Sequence, residues 1–299
     1  MHRFLRWTAL ALSLLIVAGL LCAGAAYVAS ERRLSRTYEV PRESIEIPSD
    51  SASIARGEHL FRAVTSCTLC HGEDGGGAVY ADMGPVGTVA GPNLTRGRGG
   101  IGTTLAPADW VRAMRHGVRR DGTSLIMMPS EVFTYLSERD LGAIIAYARQ
   151  LPPVDREIPR SRFAPLGRAL LASGRLDILV APKTPDLPPS AAVPAAPTAE
   201  YGRYLANVAG CHGCHGFGLS GGRVAGPKGL PPASNLTPAG LGGWTEADFE
   251  RAMREGRRRD GSTIDAFMPW RVFGRMSDDE LRALWAYLRS VPPRQFGNK

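Results

Sequence analysis

Cys67-Thr68-Leu69-Cys70-His71 and Cys211-His212-Gly213-Cys214-His215 are the two stretches from which the fold of this chain can be read. Two cysteines three apart on a helical turn can both add across the vinyl groups of a haem. The histidine that follows them is then carried under the iron as an axial ligand. Four of the five cysteines lie in these strings, so no disulfide framework is left to build; the fifth, Cys22, sits in an apolar run and reads as an inert membrane cysteine. Zinc is the competing chemistry, because two Cys-x-x-Cys pairs supply four sulfurs. Zinc needs no histidine after each pair, however, and the strings lie much further apart than in ribbons or fingers. A thioredoxin-like redox pair would require a βαβ pattern that surrounds neither string.

Working outward, the chain is a tandem repeat. Ala55-Arg56-Gly57-Glu58-His59-Leu60 precedes the first string as Glu200-Tyr201-Gly202-Arg203-Tyr204-Leu205 precedes the second. Asn93-Leu94-Thr95 matches Asn235-Leu236-Thr237, Arg112-Ala113-Met114-Arg115 matches Arg251-Ala252-Met253-Arg254, and Met128-Pro129 matches Met268-Pro269. Both halves close alike, with Ala146-Tyr147-Ala148-Arg149 then Pro152-Pro153, and Ala286-Tyr287-Leu288-Arg289 then Pro292-Pro293. The expected organisation is an N-terminal segment 1–30, a spacer 31–52, a first domain 53–153, a Pro/Ala-rich linker 154–197 and a second domain 198–299. The linker reads as an extended connector with one short helix near Leu166 to Leu171.

The sixth ligand of each iron is expected from a methionine, since a soft thioether favours Fe(II). Met128 and Met268 stand at matched positions before a proline and the last helix, whereas Met127 is matched by Phe267. Met114 and Met253 also match but lie in an amphipathic helix with Trp110 and Phe249, which assigns them to packing. His59 and His116 have Tyr204 and Glu255 at their matched positions and read as surface or rim histidines; His212 is expected to point to solvent. The arginine runs Arg112, Arg115, Arg119, Arg120 and Arg251, Arg254, Arg257, Arg258, Arg259 fit haem propionates, a basic docking face or a solvated helix face equally well.

Of 299 residues, 44% are hydrophobic and 21% charged, a globular balance; 35 glycines and 23 prolines imply many loops. Helices are expected over 53–64, 107–117 and 138–150 and over their counterparts 198–208, 245–256 and 278–290. Ser137-x-x-Asp140 and Ser277-x-x-Glu280 read as capping boxes. Leu141, Ile144, Ile145 and Ala148 share one apolar face, as do Leu281, Leu284, Trp285 and Leu288. Period-two alternation is scarce, so no substantial sheet is expected. Trp7 to Ser30 carries no charge and is long enough to cross a bilayer. It reads as a retained anchor, with cleavage near Ala23-Gly24-Ala25 as the alternative. The net charge of +8 does not mark a nucleic-acid binder, because the basic residues are not interleaved with aromatics.

On these motifs each repeat resembles a class I cytochrome c domain, with Gly57 or Gly202 in the first helix, Cys-x-x-Cys-His, the Asn-Leu-Thr loop, Met-Pro, and Tyr147 or Tyr287 in the last helix. The whole resembles the membrane-anchored dihaem cytochromes c of bacterial dehydrogenases and respiratory chains. The resemblance implies an all-α fold of two tandem domains behind one transmembrane helix. It implies two covalent haem c groups on Cys67, Cys70, Cys211 and Cys214, with His71, Met128, His215 and Met268 on the irons. It also implies a proline carbonyl receiving the proximal histidine N–H: Pro92 fits in the first half, and Pro232 is the counterpart in the second, where the pattern departs. Single-electron transfer between a dehydrogenase or reductase and an oxidase or soluble acceptor is the implied function, with no catalytic residue of its own. The implied location is the inner membrane, haem domains facing the periplasm or outer surface. The rivals are a dihaem peroxidase, which needs one iron with an open site, and a subunit of a dehydrogenase complex or a haem-based sensor.

Overall fold

The computed structural model describes residues 2–297 apart from 225, 227 and 228. Helix α1 (His2–Leu34) leads into a spacer laid on the first half, where Tyr38 N–H donates to Gly122 O at 2.8 Å. The first half then contains α2 (Ser51–His59), α3 (Thr68–His71), α4 (Pro107–His116), α5 (Ser130–Phe133) and α6 (Glu138–Gln150). After α7 (Pro165–Ala172) in the linker, the second half contains α8 (Ala199–Val208), α9 (Cys211–His215), α10 (Pro238–Leu241), α11 (Glu246–Glu255), α12 (Trp270–Phe273) and α13 (Asp278–Ser290). The order is the same in both halves, with α10 added in the second.

In each half the first and last helices cross at a glycine. A Cβ on Gly57 would stand 2.0 Å from Ala143 O of α6, and one on Gly202 would stand 1.9 Å from Ala283 O of α13. Only hydrogen fits there, which gives the repeated glycine a physical cause. Below this crossing Leu60, Phe61 and Val64 meet Leu141, Ile144 and Ile145, while Leu205 and Val208 meet Leu281, Leu284 and Leu288, all buried. The apolar faces read from sequence are therefore the core faces.

Helix starts follow capping chemistry. Asp50 accepts from Ser53 N–H at 2.9 Å, and the side chains of Ser137, Thr198, Thr245 and Ser277 cap α6, α8, α11 and α13. The capping box is complete at α13, where Glu280 reaches back to Ser277 N–H at 3.0 Å. It is not reciprocal at α6. There Ser137 N–H is directed to Tyr204 Oη at 3.3 Å, because the shorter Asp140 carboxylate is engaged by Arg56 and Tyr204.

A small antiparallel sheet occurs in the first half: β1 (Ala78–Asp82), β2 (Gly87–Gly91) and β3 (Arg162–Phe163), in that order, with a bulge between Val79 and Ala81. Because β3 belongs to the linker, residues 154–183 are not a free connector. They wrap the first half through β3, through Arg156 to Asp74, and through Met127 N–H donating to Ile178 O at 2.9 Å. The short helix expected near Leu166 is α7.

Candidate functional site

The two Cys-x-x-Cys-His strings fold as short helical turns, so their second cysteine and histidine stand on α3 and α9. Each turn ends on a glycine of matched conformation, Gly72 and Gly216, both at φ 76° and ψ 161°. The backbone continues alike: Gly77 N–H donates to His71 O at 2.8 Å and Gly221 N–H to His215 O at 2.9 Å. Burial pushes the Cys67 and Cys211 thiols up to about 12 and Cys70 to about 11. Among the described residues no three His, Cys, Asp or Glu side chains converge as a metal site, so the two cysteine pairs do not assemble the zinc alternative.

The histidines are oriented from the side away from any iron. His71 Nδ1–H donates to Pro92 O at 2.9 Å, and His215 Nδ1–H donates to Ser234 O at 2.8 Å. With the proton on Nδ1, Nε2 is the ring nitrogen whose lone pair could serve a metal. The second contact corrects Pro232 as the expected acceptor. What matters is position, not residue type: Pro92 and Ser234 each immediately precede the asparagine of the Asn-Leu-Thr loop.

That loop has a definite task. Asn93 Oδ1 accepts from Thr95 N–H and Oγ1–H, while Asn93 Nδ2 donates to Val154 O at 2.7 Å. In the second half Asn235 Oδ1 accepts from Thr237 in the same two ways and Asn235 Nδ2 donates to Arg294 O at 2.8 Å. The loop presenting the carbonyl to the histidine is thereby tied to the chain emerging from the last helix. The repeat of Asn-Leu-Thr was visible in the sequence, but its bonding partners were not.

Met128 and Met268 are half-buried against the core on matched turns. Ser130 N–H donates to Met128 O and Trp270 N–H to Met268 O, both at 2.8 Å. Pro129 and Pro269 share one backbone conformation and start α5 and α12. Met127 is held at φ 57°, a left-handed turn that leaves it exposed while its neighbour faces inward.

Two of the other histidines depart from expectation, while His59 keeps a partly exposed place at a rim. His116 is buried, with Nε2 2.9 Å from Glu43 Oε1 of the spacer. His212 turns back on its own domain, 2.9 Å from Asn207 Oδ1 and stacked on Phe217. His59 lies between the halves, 2.6 Å from Glu280 Oε2. The arginines are individually anchored: Arg112 to Asp109, Arg251 to Asp248, and Arg254 to Glu250, Asp278 and Gly274 O. Arg115 is 1% exposed with Nε 3.1 Å from Glu43 Oε2, yet its Nη1 and Nη2 find no protein acceptor, and neither does buried Trp110 Nε1. Buried donors without acceptors are rare in native interiors. Acidic groups of a prosthetic group would satisfy them, so the residues present fit a haem.

The Met-bearing loops lie at the domain boundary: α5 packs on α8, and α12 packs on the π-helical turn Leu60–Val64 that follows α2. A polar network fills the centre of this boundary. Asp140 receives Arg56 at 3.1 Å and Tyr204 Oη–H at 2.7 Å; Glu280 receives Arg56, Tyr201 Oη–H and His59. Burial pushes Glu280 up, but the His59 contact, Ser277 N–H and Arg56 outweigh it and hold the carboxyl at about 2.

Residues 199–292 match the family model described as cytochrome c, and residues 52–147 match that of cytochrome c oxidase, cbb3-type, subunit III. The chain is 29% identical over 272 residues, 82% of its length and 57% of the relative's, to the alcohol dehydrogenase (quinone) cytochrome c subunit of Gluconacetobacter polyoxogenes. It is 39% identical over 80 residues, 25% of its length and 17% of the relative's, to the subunit of the same description from Gluconobacter oxydans (strain 621H). A 74-residue stretch, 23% of the chain and 15% of the relative, is 34% identical to the fructose dehydrogenase cytochrome subunit of Gluconobacter japonicus. The chain thus spans little more than half the length of the curated relatives matched over 82% of it. Fold and family matches define a class of protein whose domains are those of the c-type cytochromes, which implies covalently bound haem c. Residues 52–147 and 199–292 are two cytochrome c domains in tandem behind an apolar N-terminal helix.

Proposed function

We propose that the chain holds two haem c groups, one on Cys67 and Cys70 and one on Cys211 and Cys214. His71 with Met128 and His215 with Met268 are their axial ligands. The observation that supports this most directly is the matched pair of histidine contacts, His71 to Pro92 O and His215 to Ser234 O. Bound haem supplies a one-electron Fe(III)/Fe(II) couple. The cysteines tether, the histidines are aimed by their carbonyls, and Met128 and Met268 present soft sulfur that favours the reduced state. No side chain is assigned a catalytic role.

In this reading 1–30 is a retained inner-membrane anchor, 31–52 and 154–197 brace the first domain, and 53–153 and 198–299 are the two haem domains on the periplasmic or outer side. Electrons pass from a dehydrogenase or reductase to an oxidase or soluble acceptor. A second reading, a cytochrome subunit of a membrane dehydrogenase complex, is favoured by the names of the relatives matched over 82% of the chain. A spectroelectrochemical titration of the haem-loaded protein tests the ligand assignment. Two low-spin components at positive potential, each with a methionine-to-iron band, are expected. A high-spin component lacking that band overturns it and revives peroxidase chemistry. Co-purification of a substrate-reducible dehydrogenase from solubilised membranes separates the subunit reading from an independent carrier.

A further inference from the structure

Helix α1 does not leave the protein as a free stalk. It docks along α7, with Arg168 over the Tyr27 ring at 4.6 Å, within 3.2 Å of Ser30 Oγ and ion-paired to Glu31. Further along, Gly174 stands beside the Arg33 guanidinium. The pairing of 168 with 27–31 and of 174 with 33 means that α7 runs in the same direction as α1. The first turn of α7 therefore points back alongside the uncharged part of α1, and Leu166 on that turn is 48% exposed.

The β1–β2 hairpin tip lies at the same level. Ala164 N–H donates to Val86 O at 3.1 Å, and a Cβ on Gly167 would stand 1.9 Å from that same oxygen. Pro85 is exposed and Gly84 has open space around it. Further along α1, level with the other end of α7, stand Arg32, Arg33, Arg36 and Arg175, all exposed and, among the described residues, with no carboxylate in ion-pair range. The acids nearby are already engaged: Glu31 by Arg168, Asp82 by Gly84 N–H and Asp177 by Lys183.

We infer that the first turn of α7 and the 83–86 tip form a foot that rests in the headgroup region of the bilayer crossed by α1, with the four arginines binding anionic phospholipid headgroups. An apolar surface continuous with a membrane span and rimmed by unpaired cations has the chemistry of an interfacial element. Such arginines bury their stems and hold the charge at headgroup level. The foot would fix the first haem domain against the membrane at a set orientation, instead of leaving it on a leash.

This rests on the reading of α1 as a retained anchor, and the experiment separates the two. The full-length haem-loaded protein, with Cys22→Ser and Leu166→Cys carrying an environment-sensitive fluorophore, is placed in nanodiscs of phosphatidylcholine with or without phosphatidylglycerol. Gln295→Cys labels an exposed site far along the chain as control. The label at 166 is expected to shift to the blue and be quenched by lipids brominated near the headgroup, more strongly with phosphatidylglycerol, while the label at 295 is unaffected. Arg32→Gln, Arg33→Gln, Arg36→Gln and Arg175→Gln together are expected to abolish the phosphatidylglycerol dependence without releasing the protein from the disc. Incorporation with a solvent-exposed label at 166 in both lipids overturns the foot and leaves the anchor standing. Failure of the chain to enter discs overturns the anchor and the foot together. Hydrogen exchange of 83–86 and 165–172 in the unlabelled protein gives the same answer without substitution at Leu166, protection in discs relative to detergent being the expected result.

Discussion

His59 Nε2 lies 2.6 Å from Glu280 Oε2 across the boundary of the two cytochrome c domains, and the contact related to it by the repeat is Tyr204 Oη to Asp140 Oδ2 at 2.7 Å. Each last-helix acid is thus held by the first helix of the other domain. The symmetry is carried by position and broken by residue type, an imidazole on one side and a phenol on the other.

The Glu280 carboxyl gives a pH prediction. Its folded pKa, about 2, lies below the ordinary value of 4.5. Its contribution to stability is therefore complete above pH 4.5 and is lost as pH falls from there towards 2. Glu280→Gln is expected to flatten that acid limb and to cost about 2–4 kcal/mol at neutral pH, since Arg56 and His59 lose a buried partner. Denaturant unfolding across pH 2–7 on the wild type and variant checks both; an unchanged acid limb would falsify the assignment.

Gly57→Ala and Gly202→Ala set two effects against each other. Helix propensity alone favours alanine by about 1 kcal/mol. The added Cβ, however, meets a backbone oxygen at 2.0 Å or 1.9 Å, where no side-chain rotation relieves it. Overpacking of this kind costs about 1–3 kcal/mol or more and should win. Both variants are expected to unfold at lower temperature than the wild type, followed by calorimetry; a raised melting temperature would show that the helices can separate freely.

Asn93 and Asn235 do the same job at unequal burial. Asn93 is fully buried and donates to both Val154 O and Arg156 O, whereas Asn235 is half-buried. Asn93→Ala leaves several buried groups unsatisfied and is expected to cost about 2–4 kcal/mol, Asn235→Ala about half that. Both should disturb the haem of their own domain through the adjacent carbonyl on His71 or His215. The check is the paired measurement of unfolding and of each midpoint potential; a larger effect from the second domain contradicts the argument.

Met128→Ala and Met268→Ala should each remove one methionine-to-iron band and lower one potential by an appreciable part of the ~0.8 V range over which axial ligands tune haem. Potentiometry with each single variant assigns the two couples to their domains. Retention of both bands in either variant shows that another side chain is the ligand.

The sequence by itself determined the duplication, the Cys-x-x-Cys-His chemistry, the helical cores and the apolar N-terminal helix. These are local: a motif spacing, a 3.6-residue period and a run without charge are complete within one stretch of chain. The Gly57 and Gly202 positions were legible as repeats, although their cause, a carbonyl oxygen on the facing helix, was not. What the tertiary structure alone decided depends on which distant groups meet. The acceptor of His215 is Ser234 because position in the loop, not proline chemistry, brings a carbonyl to the ring. His59, His116 and His212 found carboxylates, an amide or an aromatic neighbour, because imidazoles taken wholly or partly out of water need partners that the linear order does not name. The linker, Pro-rich and extended by composition, became the third strand of a sheet because β2 offered it an unpaired edge.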